Sequence, residues 1–401
     1  MLLGQNMAST HRRNRSLVFR IILQQPGLSR ANLADITGLT PASITHITAG
    51  LLRDEWIIED PGVRSPRTVG RPSIGVRVSR GQHYIGAVHL QRRLVSVGLV
   101  ELDGTIRAQT QEALDEQPDP GGAADLIAKL FMKVQTQVSP KHVIGMGVGA
   151  SGLVDYLTST IRIAPGLGWF DVRLGTWLYE RLGLPIVVDN NTRGMALAEY
   201  LMGRERQARW IVFLYAGQGT AAGVWADDRM FRGAHGIAGE VGHTSVDLNG
   251  EVCWCGNRGC LELYLGEQKI RRYLQMGNEG NISRSLTKTP KERRKWIEHL
   301  IVTALVNIIN AYNPDVIVVG GWIDQAWEII GYDVMEQVRQ RTKFWPSSVR
   351  VAQSSFGSEI GLVGAAAVGL GQMVCGVGED EWRAGDSELS VGHQATGADN
   401  D

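Results

Sequence analysis

The stretch with the clearest chemistry runs from Gly233 to Glu262 and reads GAHGIAGEVGHTSVDLNGEVCWCGNRGCLE. Cys253, Cys255 and Cys260 follow the spacing C-x-C-x4-C, and His243 lies ten residues before the first of them. Thiolate sulfur and imidazole nitrogen are the donors that tetrahedral Zn²⁺ prefers. Four protein ligands predict a structural zinc site, not a hydrolytic one. The alternative is three unrelated buried thiols beside a core histidine, and the clustering in a cysteine-poor chain favours the metal.

Composition narrows the class of protein. The chain has 401 residues, of which 43% are hydrophobic and 20% charged, which is typical of a globular protein with two or three domains. No apolar run is long enough to span a membrane, and the N-terminal residues lack the apolar core and cleavage site of a secretory signal. Sparse cysteine fits a reducing compartment. We therefore expect a cytoplasmic protein with no membrane segment.

Charge is distributed unevenly between the two ends. Residues 1–80 contain eleven arginines and five acids, whereas the chain from Val377 onward contains seven acids and one arginine. A basic N-terminal region suggests a polyanionic partner, and a solvated face is the alternative. The acidic segment 377–401 has few residues to bury, so we expect it to be disordered.

Three short helices are predicted near the N-terminus. Arg15 to Gln25 places apolar residues on one helical face. Ser29 caps a second helix that Gly38 ends, and Thr40 and Pro41 supply the N-cap and first position of a third helix running to about residue 53. Two short helices joined by a glycine turn are typical of a helix-turn-helix.

The third helix is the predicted recognition helix. Ile44, Ile47 and Leu51 form its buried face. Short polar or small residues are expected at exposed or partly exposed positions: Ala42, Ser43, Thr45, His46 and Thr48. A helix that enters the major groove by its first turn needs such side chains, so the candidates for base contacts are Ala42, Ser43, Thr45 and His46. An ordinary three-helix bundle with a polar face is the alternative.

A basic hairpin follows the helices. WIIEDPG and SIGVRVS read as two strands, and the loop between them carries Arg64, Arg67 and Arg71 with proline, glycine and no acid. Arginines on a hairpin tip reach DNA phosphates or a minor groove. Residues 1–80 are therefore predicted to be a winged helix-turn-helix DNA-binding domain.

The remaining chain, to about residue 376, alternates strands and helices. Each half opens with a strand and a glycine turn, which predicts two similar α/β lobes with a cleft between them. The first half contains a hairpin around Asp103-Gly104, helices over 125–136 and 174–182, and strands over 143–150 and 185–191. The second half contains strands over 210–233 and 316–320, and a final helix of small residues near 357–373.

Four motifs together resemble the ROK family of sugar kinases and repressors over nearly the whole chain. They are AGEVGH, the cysteine run with its flanking GCLE, VDNN and NPDVIVVGG. The resemblance implies an α/β, two-lobed, actin-like or ribonuclease-H-like body that binds sugar between its lobes, with zinc organising the sugar-binding loops. It implies a first lobe over 81–190, completed by the helix at about 358–376, and a second lobe over 191–357.

Kinases of this family carry an Asp-x-Gly-Gly-Thr phosphate loop and an Asn-Asp pair whose aspartate is the general base. Here the first loop, Val88–Arg93, has neither aspartate nor glycine, and bulky side chains are expected to fill its space. Asn191 stands in place of the base, and an amide cannot accept the proton of a sugar hydroxyl. We therefore expect no catalytic residues. Gly217–Thr220 resembles the second phosphate loop, either as a remnant or as a requirement of the fold.

The same resemblance places the sugar site at five residues: Asn190, Asn191, Glu240, His243 and Glu262. Carboxylates and amides can each bind two hydroxyls. His243 would bind zinc through one ring nitrogen and sugar through the other. Glu240 and Glu262 as ordinary loop acids are the alternative, and Trp169 is placed either near the site or in the core.

These features predict a transcriptional regulator, a repressor rather than an activator. It would bind operator DNA as a homodimer or homotetramer and respond to a small sugar. Two other functions stay open: an active ROK sugar kinase with a fused DNA-binding domain, and a regulator that answers to a protein partner.

Overall fold

The computed structural model describes residues 7–60, 74–138, 140–277, 280–343 and 349–377. Within these ranges no helix combines the length and the apolar character needed to cross a membrane. The helices are α1 Met7–Gln24, α2 Arg30–Thr37, α3 Pro41–Arg53, α4 Pro120–Val138, α5 Leu174–Leu182, α6 Asn191–Leu201, α7 Glu262–Leu265, α8 Glu267–Tyr273, α9 Ile282–Lys288, α10 Lys291–Tyr312, α11 Trp322–Arg341 and α12 Ile360–Met373.

The strands follow the same order along the chain. They are β1 Leu28–Ser29, β2 Ile57–Asp60, β3 Gly75–Val78, β4 His83–Leu90, β5 Leu94–Glu101, β6 Ile106–Ala113, β7 His142–Ala150, β8 Leu153–Asp155, β9 Thr160–Ala164, β10 Trp169–Val172, β11 Ile186–Asn190, β12 Trp210–Ala216, β13 Thr220–Ala226, β14 Arg229–Met230, β15 Val316–Gly321 and β16 Arg350–Gln353.

The three N-terminal helices form as the capping residues predict. Ser29 accepts a hydrogen bond from the backbone of Asn32, whose side chain accepts one from the Ser29 amide, and Gly38 ends α2 in the left-handed region at φ 67°. Thr40 caps α3, and Pro41 occupies its first position. The first helix begins at Met7, two turns earlier than the sequence predicted, because no proline or glycine interrupts it there.

The buried face of α3 differs from the prediction at one position. Ile44, Ile47 and Leu51 are buried as expected, but Thr48 is also fully buried. Its hydroxyl donates to the carbonyl of Ile44 at 2.8 Å and accepts from Arg30 Nε at 3.1 Å. The placement of Thr48 among the exposed or partly exposed residues was therefore wrong. These two bonds satisfy its hydroxyl inside the N-terminal domain, residues 1–80, which is called the head.

The predicted hairpin is present. β2 and β3 pair antiparallel from Ile57 with Val78 to Asp60 with Gly75, and β1 adds to the other edge of β3. The loop that joins β2 to β3 contains Arg64, Arg67 and Arg71, which lie outside the described residues, as does most of the acidic segment 377–401. The three arginines remain predicted DNA contacts.

The body is built on two five-stranded mixed sheets. The first has the order β11-β7-β4-β5-β6 and the second β14-β13-β12-β15-β16. In each, an antiparallel hairpin joins parallel strands, β4, β7 and β11 in the first and β12, β15 and β16 in the second. The C-terminal helix α12 returns to pack on β4 and β7 of the first sheet. This repeated plan agrees with two similar α/β halves.

Two features of the first half differ from the sequence prediction. The expected hairpin is a three-stranded meander, with one turn at Gln91–Arg93 and another around Asp103-Gly104. A small sheet of β8, β9 and β10 was not predicted. Trp169 on β10 is buried, and its indole N–H donates to the carbonyl of Pro118 at 2.7 Å, so this residue belongs to the core.

Helix α6 lies between the halves of the body, where it packs on α12 and β13. The contact with α12 is a backbone contact, because a Cβ added at Gly194 would lie 2.7 Å from the carbonyl oxygen of Gly364. On the other side, a Cβ at Gly223 of β13 would lie 2.0 Å from the carbonyl oxygen of Thr192. Glycine at these positions allows the elements to approach this closely.

The N-terminal head docks on the body near the C-terminal end of α6. Gln24, the last residue of α1, donates from Nε2 to the carbonyl of Tyr200 at 3.0 Å, and its own carbonyl accepts from Arg206 at 3.1 Å. A second contact stacks Trp56 on His83, with ring centroids 4.4 Å apart. One continuous hydrophobic core therefore includes residues from both the head and the body.

Candidate functional site

Four predicted metal ligands lie together in the structure. The ligand atoms of His243, Cys253, Cys255 and Cys260 are all within 4.8 Å of one another. His243 Nδ1 lies 3.7 Å from Cys253 Sγ, and Cys255 Sγ lies 3.7 Å from Cys260 Sγ. A tetrahedral ion with Zn–S bonds of about 2.3 Å separates its sulfur ligands by about 3.8 Å. The donor set and its spacing therefore fit a tetrahedral metal.

The shifted pKa values of two of the thiols also fit a metal-binding cluster. Burial and the neighbouring thiols of Cys255 and Cys253 raise the pKa of Cys260 to about 12. In the opposite direction, the backbone amide of Asn257 lowers the pKa of Cys255, against the effect of desolvation. A bound cation would replace the protons of such crowded thiols, so metal binding would release protons.

Glycines bring the ligand loops close to the second sheet. A short 3-10 helix, Val241–His243, carries the histidine ligand. A Cβ at Gly242 would lie 1.8 Å from the carbonyl oxygen of Thr220, at the start of β13, and one at Gly259 would lie 1.8 Å from that of Asp247. Any larger residue at either position would push the loops apart.

Trp254 connects the cysteine cluster to Glu262, a predicted sugar-binding residue. It stands between Cys253 and Cys255 and donates from its indole N–H to Glu262 Oε1 at 3.2 Å. Its ring meets that of His243 edge-on, with centroids 5.0 Å apart. The geometry of the metal cluster therefore bears directly on the position of the Glu262 carboxylate.

The second glycine turn holds the other oxygen of this carboxylate. Thr220 donates its backbone amide to Glu262 Oε2 at 3.0 Å, and a Cβ at Gly219 would lie 2.9 Å from the same oxygen. Gly217 bonds back to the Gly219 carbonyl at 2.9 Å and accepts from the amide of Glu267 at 2.8 Å. The backbone of Gly217–Thr220 thus positions Glu262, which favours a role of this turn in the local fold.

The two asparagines lie at the carboxyl end of the parallel strands of the first sheet, where open α/β sheets bind ligands. Asn190 caps α6, and its side-chain oxygen accepts from Thr192 N at 2.9 Å and from Thr192 Oγ1 at 2.7 Å. Asn191 donates to Ser151 Oγ at 2.9 Å, but its buried Oδ1 has no partner within the described structure. This oxygen lies against β7, where a Cβ at Gly149 would stand 2.8 Å from it, so a ligand can reach it only after the side chain moves.

Glu240 is the second carboxylate of the predicted sugar site. Desolvation by the surrounding protein raises the pKa of its carboxyl, as does the charge of Glu262, while His243 and Arg193 oppose the rise. The side chain is nevertheless exposed to solvent. The charged groups that act on this carboxyl thus include two other predicted sugar-site residues, His243 and Glu262.

A buried ion cluster beside these residues was not predicted. Asp189 pairs with Arg193 Nε at 2.8 Å and with Arg232 at 2.8 Å, and Arg232 stacks on Tyr156 with 3.6 Å to the ring centroid. Arg193 also donates to the carbonyl of Gly236 at 3.0 Å. The cluster fastens the Gly233–Glu240 loop to α6. Asp189 lies in a strand and Arg193 lies in the first turn of α6, so no helical spacing predicts their pairing, and Arg232 is too distant in sequence to infer.

The first loop differs in part from its prediction. His89 does fill space, since a Cβ at Gly361 of α12 would lie 2.1 Å from its Nδ1, and burial lowers its pKa to about 4. Arg92 and Arg93 instead point outward, both exposed, and Arg93 pairs with Glu116 at 2.7 Å. The expectation that bulky side chains fill the loop was therefore wrong for these two arginines. Their charged side chains stay in solvent because burying an unpaired charge is costly.

On the head, the predicted base-reading residues share one surface. Ala42, Thr45 and His46 are exposed on α3, and Ser43 is half-buried. The hydroxyl of Ser43 lies 2.9 Å from that of Thr40 at the helix cap, and Thr45 donates to the carbonyl of Pro41 at 2.8 Å. Each hydroxyl keeps lone pairs for a further partner.

Comparison with known families gives a match to the ROK family over residues 86–371. A repressor and a transcriptional dual regulator are similar over most of the chain. The xylose repressor of Caldicellulosiruptor bescii is 26% identical over 82% of this chain and 88% of its own length. The transcriptional dual regulator NagC of Escherichia coli K12 is 29% identical over 79% of this chain and 82% of its own length.

Solved structures give the same fold. A ROK family transcriptional regulator, a homologue of the Escherichia coli MLC protein, superposes with a TM-score of 0.76 at 26% identity, over 93% of this chain and 99% of its own. A ROK family glucokinase from Streptomyces griseus, solved with glucose and AMPPNP, superposes with a TM-score of 0.60 at 23% identity, over 71% of this chain and 98% of its own. The predicted two-lobed, actin-like α/β body behind an N-terminal helical head is confirmed.

Proposed function

Because the chain belongs to the ROK family, we propose that it is a sugar-responsive transcriptional repressor that binds operator DNA as a homodimer or homotetramer. Residues 1–80 form the DNA-binding domain, 81–190 with α12 the first lobe, and 191–357 the second. The observation that carries this proposal is that a helix-turn-helix head is joined to a sugar-kinase-like body in which the residues for phosphoryl transfer have been replaced.

The sugar lies between the lobes, against the carboxylates of Glu240 and Glu262. Each carboxylate can accept from two hydroxyls, and the side-chain amide of Asn191 is a further predicted contact. His243 Nδ1 faces the thiol cluster, which leaves Nε2 for a sugar hydroxyl. Asn190 contributes through one N–H of its side-chain amide, because α6 already occupies its oxygen and the carbonyl of Gly152 accepts from the same nitrogen at 2.9 Å.

A Zn²⁺ ion held by His243, Cys253, Cys255 and Cys260 is structural in this proposal. When bound, it cross-links the loop that carries Glu240 to the segment that precedes Glu262. The protein residues then present both carboxylates in a fixed geometry, with Trp254 holding Glu262 from one side and Thr220 from the other.

The sugar is the ligand to identify first. We expect a thermal-shift screen of monosaccharides and their phosphate esters to find one that raises the melting temperature, because a ligand specific to the native state stabilises it by mass action. That sugar should also change the affinity of the full chain for DNA selected from a random library. A protein that binds DNA but responds to no sugar would instead favour a regulator governed by a protein partner.

Sugar-dependent ATP hydrolysis should be absent. The first loop contains no aspartate and holds the buried His89, which is neutral at physiological pH, and Asn191 cannot act as a general base. A coupled ATPase assay with the sugar panel is therefore expected to show no turnover above the sugar-free rate. Removal of a general base alone lowers a rate about 10²- to 10⁴-fold, so robust turnover would establish the kinase alternative.

Substitutions on α3 and on the wing, the basic loop between β2 and β3, should affect DNA binding differently. We expect Ser43→Ala or His46→Ala to change the base preference at one or two operator positions, at a cost of about 1–3 kcal/mol for the preferred base. Arg67→Ala or Arg71→Ala should weaken binding to all sequences alike. Titration of operator and random duplexes by fluorescence anisotropy checks this, and equal losses on both duplexes for the α3 variants would contradict it.

A further inference from the structure

The first two turns of α1 form a basic extension of the head. They carry His11, Arg12 and Arg13, all exposed to solvent. The whole of α1, MASTHRRNRSLVFRIILQ, contains no acidic residue. Its apolar half begins only at Leu17, so the basic turns extend beyond the hydrophobic core of the head.

This extension runs alongside the proposed recognition helix and in the same direction. The ring of His11 meets that of His46 edge-on, with centroids 5.7 Å apart. One turn later, Arg15 pairs with Asp54 at 3.2 Å, and its Nη1 lies 3.4 Å from a Cβ built at Gly50. The contacts of both helices thus advance together from N- to C-terminus. The N-terminal turns of α1 therefore lie at the end of α3 that carries the base-reading residues.

The extension also presents its basic residues on the side that faces α3. Val18, Phe19 and Ile22 point into the core of the head. Positions seven residues apart on a helix differ by only about 20° in direction. His11, Arg12 and Arg15 therefore continue the core-facing stripe, although His11 and Arg12 remain exposed. The face of α1 that is apolar and buried at Val18, Phe19 and Ile22 is thus basic and exposed beside the start of α3. Such a surface is complementary to a polyanion.

We propose that His11 and Arg12 bind the DNA backbone beside the bases that α3 reads. The inference rests on the proposed DNA-binding function and adds a second helix to the interface. A guanidinium at this position donates two parallel hydrogen bonds to a phosphate and displaces condensed counterions. The contact increases affinity for every sequence and orients α3 in the major groove.

The test compares Arg12→Ala with Arg53→Ala in the full-length protein. Arg53 is a matched control because it is an exposed arginine on the head, its side chain is 78% exposed, and it lies at the opposite, C-terminal end of α3. The probes are a duplex that the wild-type protein enriches from a random library and an unrelated duplex of equal length. Anisotropy titrations over a range of salt concentrations give affinities and salt slopes.

Arg12→Ala is expected to weaken binding to both duplexes by about tenfold at 0.1 M salt and to reduce the slope of log K against log salt by about one. Arg12→Lys should keep the slope, because it keeps the charge. Since Arg12 is exposed, the thermal unfolding of all variants should match that of the wild type. Losses equal to those of Arg53→Ala would overturn the inference alone, whereas a wild-type protein that enriches no duplex would overturn the DNA-binding function as well.

Discussion

Cys260→Ser is expected to remove the metal and to weaken sugar binding by at least about 100-fold. The substitution takes away a buried thiolate ligand two residues before Glu262. Without the cross-link, Glu262 and His243 no longer hold their positions, and hydrogen bonds to a charged group contribute about 1.5–3 kcal/mol each. Metal analysis of the purified protein and calorimetric titration with the sugar from the thermal-shift screen measure the two effects.

Two further variants separate the metal from the carboxylate. Cys375→Ala removes the buried cysteine outside the cluster and should leave both metal content and sugar affinity unchanged. Trp254→Phe keeps all four ligands but deletes the indole N–H that donates to Glu262 Oε1. It should retain zinc and bind sugar about 2- to 10-fold more weakly, the effect of one hydrogen bond. Full sugar affinity in metal-free Cys260→Ser protein would contradict the structural role of zinc.

The sequence was sufficient to predict elements with strong local signals. These signals involve residues only a few positions apart. Examples are the caps at Ser29 and Thr40, the glycine after α2 and the strand pairs around glycine turns. The cysteine spacing predicted the cluster for the same reason. The start of α1 was missed because its first two turns are polar, so that helical periodicity of apolar residues does not mark them.

Parts of the site depend on contacts that no local pattern reveals. The pairing of Arg232 with Asp189 joins residues forty-three positions apart, and Trp254 was not distinguishable from an exposed loop aromatic. The small sheet of β8 to β10 was missed because its strands are short and only partly apolar. Thr48 was misplaced because a hydroxyl can be buried once its hydrogen bonds are satisfied.

Helix α6 offers a physical route between the sugar site and the head. Asn190 and Asn191 lie at its N-terminal end in the proposed sugar site, and Gln24 of the head bonds to the carbonyl of Tyr200 near its C-terminal end. Its residues from Thr192 to Leu201 are all buried, so a shift at one end moves the helix as a unit. In this mechanism the sugar favours one angle between the lobes, and α6 transmits that change to the spacing of paired heads.

Gly194→Ala is therefore expected to uncouple sugar from DNA binding and to lower stability. The new methyl group would stand 2.7 Å from the carbonyl oxygen of Gly364, so α6 and α12 must separate. Overpacking of this kind costs about 1–3 kcal/mol, offset by at most about 1 kcal/mol from the higher helix propensity of alanine. We expect a lower melting temperature and, at saturating sugar, a change in DNA affinity smaller than that of the wild type.

Gly371→Ala is the matched control, because it also adds a methyl group at the α6–α12 contact. There the methyl group meets the end of the Leu197 side chain at 2.9 Å, and a side chain can rotate away where a backbone carbonyl cannot. The control should keep both stability and sugar response. Thermal unfolding with anisotropy titrations in the presence and absence of sugar distinguishes the two variants. A normal sugar response in a folded Gly194→Ala protein would show that the signal does not pass through the close contact of α6 with α12.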